Sequence, residues 1–163
     1  MKEFFRTSNQ IRGLTDMLEK LPDNMTAIEV GSAYGESATV FMDSGKFIKL
    51  YCVDPWIGSM SEREKHFDER HSEDERVIKI KKKSGDALED VPVVDFVYID
   101  ACHSYLDVLK DIQNYRKKVK KSGFIAGHDY TYKFKDDVIR AVDEELNRPD
   151  YVFRDGSWLK QLC

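Results

Sequence analysis

Short apolar runs alternate with amphipathic stretches along the chain, and their spacing predicts an α/β protein. Apolar runs that suit buried strands lie at 26–30, 47–53, 77–80, 93–99 and 123–126. The run at 93–99 is almost continuously apolar, as expected of a strand buried on both faces of a parallel sheet. Two further runs, at 151–154 and 158–162, flank a glycine turn and predict a terminal hairpin.

Amphipathic segments between these runs predict the helices. They span 10–21, 37–42, 105–119 and 136–146, and Ser104 is placed to cap the third. The stretch 62–75 is strongly charged and poorly amphipathic, so it is interpreted as a surface helix or lid, with His66 and His71 as surface residues. Strands alternating with helices predict a three-layer α/β fold with a mostly parallel sheet, and the hairpin predicts an antiparallel last strand.

Composition narrows the class of protein. The 163 residues fit one domain, 1–163, and a hydrophobic fraction of 41% suits a packed core. The net charge of −4 comes from interspersed acids and bases, which argues against a nucleic-acid partner. No apolar run approaches the ~20 residues of a membrane span. Cys52, Cys102 and Cys163 form no CxxC pair, which suits a reducing compartment and predicts a cytoplasmic location.

The most informative segment is the glycine turn after the first predicted strand, Glu29-Val-Gly31-Ser-Ala-Tyr-Gly35-Glu-Ser37. Such a turn offers free helix N–H groups, and Asp54 at the next strand end is suited to two ribose hydroxyls, so together they predict an adenosine-type cofactor. The spacing lacks the third glycine of the dinucleotide fingerprint. Glu29 and Glu36 disfavour a diphosphate but tolerate a cationic amine, which favours S-adenosylmethionine over NAD. Ser37 is placed to hydrogen-bond the cofactor's carboxylate.

Two more residues are candidate adenosine contacts. Trp56 is placed to stack on the adenine or to wall the pocket, and a position in the core fits it equally well. Asp86 lies in a turn into a short helix and is placed to accept from the adenine amino group, with a helix N-cap as the alternative.

The segment from Asp100 to Ser104 carries the candidate catalytic chemistry. His103 precedes a helix cap, where the positive helix end disfavours its protonation while Asp100 favours it. The balance predicts an imidazole that titrates near neutrality and is suited to general-base work, with a structural hydrogen bond as the alternative. Cys102 is interpreted as a small buried side chain.

A second histidine–acid pair, His128-Asp129, follows the next strand. With Asp100 it would supply three ligands to a divalent metal such as Mg. In the alternative interpretation, His128 orients the substrate and Asp129 caps the following segment.

Four segments, at 29–37, 53–56, 95–105 and 123–130, together resemble the class I S-adenosylmethionine-dependent methyltransferases. More narrowly, the chain is similar to small methyltransferases related to macrocin and catechol O-methyltransferases and to cephalosporin hydroxylase-like proteins. The resemblance implies a Rossmann-like sheet of seven strands with an antiparallel last strand. It also implies a cofactor site in which the methionine part is held by Gly31, Ser32, Ala33, Gly35 and Ser37, the ribose by Asp54 and the adenine side by Asp86.

The resemblance also concerns catalysis. It implies that metal-dependent relatives bind magnesium through an acid at the position of Asp100 and a pair at 128–129, with a lysine base at the position of His103. Here His103 replaces the lysine and preserves a base. His128 replaces an acid, which weakens the case for magnesium, because a neutral imidazole is a poor ligand for a hard cation.

The expected function is therefore methyl transfer from S-adenosylmethionine to an oxygen of a small molecule, with Asp100 and His103 as catalytic residues. Expected cofactor contacts further include Glu29, Trp56 and Asp100. The alternatives are a methyltransferase-like binding domain without turnover and, less favoured, an NAD-binding oxidoreductase. The expected partners are a small-molecule acceptor and a second copy of the chain, but neither nucleic acid nor membrane. Three aromatic residues suit an apolar or sugar-ring contact, or the core: Tyr130, Tyr132 and Phe134.

Overall fold

Seven strands form one sheet in the order β3-β2-β1-β4-β5-β7-β6. The computed structural model describes residues 5–58, 61–131 and 136–163. The strands are β1 (Met25–Val30), β2 (Phe47–Val53), β3 (Val77–Ile80), β4 (Val94–Ile99), β5 (Val119–Gly127), β6 (Tyr151–Val152) and β7 (Trp158–Gln161). The first five are parallel, and β7 runs antiparallel to β5. The predicted sheet, with its antiparallel last strand, is confirmed.

In the described ranges, five α-helices cover the two faces of this sheet. They are α1 (Ser8–Leu18), α2 (Glu36–Asp43), α3 (Ser61–His71), α4 (Tyr105–Tyr115) and α5 (Asp137–Leu146), and short 3₁₀ helices span Ser84–Asp90 and Arg116–Lys118. Helix α1 begins earlier than its apolar spacing predicts because Thr7 and Gln10 form a capping box at its start. No helix of the described ranges is both long and apolar enough to cross a membrane.

Alternation along the strands divides the core into two clusters. In β1, Ala27 packs with α1, α2 and α3, whereas the next residue, Ile28, packs with α4 and α5. Successive strand residues point to opposite faces of a sheet, so both faces of the central strands are buried. This arrangement is the predicted three-layer fold, and it brings the carboxyl ends of β1, β2, β4 and β5 to one edge.

Two differences between the predicted and the observed elements have a clear packing reason. The helix predicted to reach Val119 ends at Tyr115, and Val119 instead starts β5, where it pairs with Val94 of β4. Its apolar spacing fits both elements, and the strand partner decides between them.

The second difference concerns the charged segment. Phe67 and His71 of α3 are buried, so the surface interpretation of His71 is wrong. His71 closes against the glycine turn, and its Nε2 lies 2.8 Å from the Gly35 carbonyl oxygen.

Candidate functional site

The two glycines of the turn are required by packing within the protein. Gly31 has a φ of +95°, and a Cβ there would lie 2.3 Å from the carbonyl oxygen of Asp100. Gly35 has a φ of +74°, and its added Cβ would lie 2.7 Å from the ring of His71. The sequence predicts that these glycines let the backbone approach a ligand. In the structure they let β4 and α3 approach the turn.

A cleft of about 310 Å³ opens between this turn, the ends of β4 and β5 and the start of the chain. The residues that line it are Phe5, Arg6, Gln10, Ser32, Ala33, Tyr34, Glu36, Ser37, Asp100, His103, His128 and Asp129. Predicted site residues from three separate segments therefore meet in one cleft. Cys102, which was expected to be buried, is exposed beside it.

Glu29 lies beneath the cleft. Its side chain is fully buried, it accepts a hydrogen bond from the Ser37 hydroxyl, and the Cys52 thiol lies 3.7 Å from its Oε2. Burial raises the pKa of Glu29, because a carboxylate without solvent is costly. Glu29 therefore shapes the cleft through Ser37, and direct contact with a cofactor stays a prediction.

The acid at the end of β2 holds its own loop. Asp54 accepts hydrogen bonds from the N–H groups of Ala33 (3.0 Å) and Trp56 (2.8 Å). Trp56 is 1% exposed, and its indole donates to the Ala33 carbonyl at 2.8 Å. The structure thus has Trp56 in the core, the second of its two predicted positions.

Asp86 is exposed in the first turn of the 3₁₀ helix Ser84–Asp90, whose N-cap is Lys83. The N-cap interpretation of Asp86 is therefore wrong. Neither Asp54 nor Asp86 lines the cleft described above, and their ribose and adenine roles remain predictions.

The beginning of the chain enters the site, which sequence reasoning missed. The carboxylate of Glu36 accepts hydrogen bonds from the backbone N–H groups of Phe5 and Arg6. Nη2 of Arg6 then lies 2.6 Å from Asp100 Oδ2 and 3.5 Å from the Ser37 hydroxyl. Burial would lower the pKa of Arg6, but the charge of Asp100 outweighs it and keeps the guanidinium cationic. Arg6 stands outside every motif, so no local signal predicts this contact.

Carboxylates surround His103. Its Nε2 lies 3.9 Å from Asp100 Oδ1 and 2.8 Å from Asp129 Oδ2. Asp100 and Asp129 raise the pKa of His103 to about 9. Burial alone would raise the pKa of Asp129, but hydrogen bonds with His103 and His128 bring it well below its usual range. The expectation that His103 titrates near neutrality is wrong, because two acids rather than one face it.

His128 continues this network away from the cleft. Its Nδ1 lies 3.3 Å from Asp129 Oδ1, and its Nε2 lies 3.4 Å from Asp155 in the turn between β6 and β7. Burial would lower the pKa of His128, but these two acids raise it to about 10. Asp155 is held by the backbone N–H of Ser157 at 3.0 Å, and its carboxylate packs against Gly13 of α1. Sequence reasoning missed Asp155 as well.

The predicted metal ligands are rearranged. Within the described ranges, Asp100, His103 and Asp129 can each offer a ligand atom within 4.8 Å of one another. His128 was predicted as the third ligand, but it is not in this group, and its Nε2 lies 3.4 Å from the hairpin acid Asp155. Arg6 already contacts Asp100 of this group at 2.6 Å, and His103 contacts Asp129 at 2.8 Å.

Comparison with known proteins identifies the family. A family model described as "Methyltransferase domain" matches residues 28–130, which is more than half of the chain. This chain belongs to the class I S-adenosylmethionine-dependent methyltransferases. The matched region of this methyltransferase-family protein extends from β1 to the end of β5, and so includes the glycine turn and the acids of the cleft.

Individual relatives show the fold and little more. An uncharacterized protein of Acanthamoeba polyphaga mimivirus is 29% identical over 143 residues, which are 82% of this chain and 64% of that protein. A candidate caffeoyl-CoA O-methyltransferase from Staphylococcus aureus is 14% identical with a TM-score of 0.66, and the match covers 97% of this chain and 83% of that protein's chain. A B. subtilis tRNA methyltransferase is 10% identical with a TM-score of 0.62, and the match covers 93% of this chain and 66% of that protein's chain.

Proposed function

We propose that this protein transfers a methyl group from S-adenosylmethionine to an oxygen of a small molecule. The observation that carries the proposal is the position of His103, which lines the cleft and whose Nε2 contacts Asp129 and lies near Asp100. A general base beside the acceptor is what oxygen methylation needs, since a neutral hydroxyl is a weak nucleophile. The net charge of −4 favours a small-molecule acceptor over a nucleic acid.

The cleft suits the amino-acid end of the cofactor. A volume of about 310 Å³ falls in the range of small-molecule sites. Arg6 offers N–H donors to a carboxylate, and Asp100 offers an acceptor to an ammonium group. The cofactor, when bound, supplies a methyl group activated by a sulfonium. Asp54 and Asp86 remain the proposed contacts of the adenosine part.

In this proposal the neutral imidazole of His103 accepts the proton of the acceptor hydroxyl at Nε2, and the new N–H donates to Asp129. The oxygen that loses the proton would receive the methyl group, with S-adenosylhomocysteine as the other product. Asp100 and Asp129 then stabilise the imidazolium that forms. Most of the acceleration would come from holding acceptor and methyl donor in line.

The pKa of His103 makes the proposal testable by pH. Only the neutral imidazole is a base, so kcat/KM should rise about tenfold per pH unit below the His103 pKa of about 9. Asp129→Asn removes an anionic acceptor 2.8 Å from Nε2 of His103, which lowers the His103 pKa. The rising part of the pH profile of kcat/KM should therefore move to lower pH. Asp90→Asn removes the same charge from an exposed ion pair with Lys82 and should leave the pH profile of kcat/KM unchanged. A rate independent of pH between about 6 and 8 would contradict the base role.

One observation favours a second candidate, a methyltransferase-like domain that binds without turnover. With a pKa of about 9, the His103 imidazole favours its protonated form at neutral pH, and that form is not a base. The family match and the antiparallel β7 leave an NAD-dependent oxidoreductase without support.

Calorimetric titration tests the proposed cofactor. We expect S-adenosylmethionine and S-adenosylhomocysteine to bind and NAD not to bind. Binding should persist in EDTA, because Arg6 already neutralises Asp100 without a metal. Failure of both adenosyl ligands to bind would refute the proposal. Binding without methyl transfer across a broad acceptor panel, measured up to pH 9, would favour the binding domain.

A further inference from the structure

We propose that the Arg6–Asp100 ion pair holds the place of the cofactor's amino-acid end. On binding, the cofactor's carboxylate forms an ion pair with Arg6, and the cofactor's ammonium group forms an ion pair with Asp100. This inference rests on the proposed function and assigns residues that recognise the zwitterion. Arg6 is thereby a binding residue, contributed by a segment that precedes the first helix.

The ion pair lies where the amino-acid end is expected. Ser37, proposed to bind the carboxylate, lies 3.5 Å from Nη2 of Arg6. Asp100 shares the guanidinium at 2.6 Å, and both side chains are largely buried, with exposures of 15% for Arg6 and 12% for Asp100. The Asp100 carboxylate therefore occupies the position beside Arg6 that suits the cofactor's carboxylate.

The backbone of Arg6 is anchored independently of its side chain. Glu36 is buried, accepts the backbone N–H groups of Phe5 and Arg6, and lies 3.7 Å from the Arg70 guanidinium. The Phe5 ring packs on Tyr34 at a centroid distance of 4.6 Å. The guanidinium can thus exchange one carboxylate for another while its segment stays in place.

Charge balance explains why a zwitterion suits this pair. Separating a buried ion pair is costly when either ion is left alone. A ligand with both an ammonium and a carboxylate gives each ion a new partner. A ligand that lacks the amino-acid end gives neither, and leaves the internal pair intact.

Two ligands that differ in this end provide the test. S-adenosylhomocysteine carries the amino acid, whereas 5′-methylthioadenosine has the same nucleoside and sulfur without it. We expect Arg6→Ala to weaken the binding of S-adenosylhomocysteine about 10–100-fold by calorimetry, as for loss of a charge-assisted contact. The affinity for 5′-methylthioadenosine should stay within about threefold of that of the unmodified protein. Arg6→Lys should recover part of the loss, since it keeps the charge without the planar fork.

Control variants separate this role from folding and net charge. Arg12→Ala removes the same charge from an exposed position of α1 and should change neither affinity. Asp100→Asn should also weaken S-adenosylhomocysteine more than 5′-methylthioadenosine. If Arg6→Ala binds S-adenosylhomocysteine with unchanged affinity, the inference is overturned. That result is also the one expected if Arg6 binds a carboxylate of the methyl acceptor instead. Equal losses for both ligands would overturn the inference too. Absence of S-adenosylhomocysteine binding by the unmodified protein would instead refute the proposed function.

Discussion

Replacement of His103 by alanine is expected to lower turnover about 10²–10⁴-fold, the range for loss of a general base. His103 Nε2 faces the cleft within 2.8 Å of Asp129, and the contacts proposed for the cofactor lie at other residues. The affinity for S-adenosylhomocysteine should therefore stay near that of the unmodified protein. Turnover with a methyl acceptor, measured at pH 9 with saturating cofactor, checks the prediction.

Two controls sharpen this experiment. His66→Ala removes an imidazole from α3 that packs on Phe5 and Tyr34 but is not itself in the lining of the cleft, and it should lower turnover far less than His103→Ala. Added imidazole should restore part of the activity of His103→Ala by acting as a soluble base. Unchanged turnover with intact cofactor binding would exclude the base role and favour a structural one.

Replacement of Gly31 by alanine is expected to lower the free energy of unfolding by about 3 kcal/mol or more. Two costs add: the backbone strain of a side chain at positive φ, and a steric clash of the new Cβ in the core. The φ of Gly31 is +95°, which a side chain adopts at a cost, and the new Cβ would lie 2.3 Å from the Asp100 carbonyl oxygen. That oxygen belongs to the backbone where β4 ends, so relief requires moving the strand end that carries Asp100. Urea unfolding measures the loss.

Gly45→Ala is the matched control. Gly45 has a φ of +72° but no neighbouring atom within 4 Å of an added Cβ, so it has the strain without the clash. We expect it to cost about 1 kcal/mol. Equal losses in the two variants would show that the approach of β4 to Gly31 does not require glycine.

The sheet and its site edge could be predicted because their signals are local. Near-continuous apolar runs indicated buried parallel strands, and residues just past β1, β4 and β5 line the cleft. Boundaries were less well determined where one apolar residue suits two elements. Val119 fits the helical spacing of α4, yet it pairs with Val94 as the start of β5.

Pairwise contacts between distant segments escaped prediction. Arg6 meets Asp100 across 94 positions of the chain, and Asp155 meets His128 from the terminal hairpin. A further contact between separate segments, that of Asp129 with His103, reversed a chemical expectation. One acid and a helix start predict a near-neutral His103, whereas the fold adds Asp129 and raises its pKa to about 9.

The sequence by itself determined the fold class, the family resemblance and most residues of the cleft, because periodicity, glycine turns and strand-end acids act over a few neighbouring positions. The tertiary structure decided which of these groups touch. It put Trp56 in the core, turned His128 toward Asp155 and brought Arg6 onto Asp100. Electrostatic energies depend on distances between groups from separate elements, and only the folded chain sets those distances.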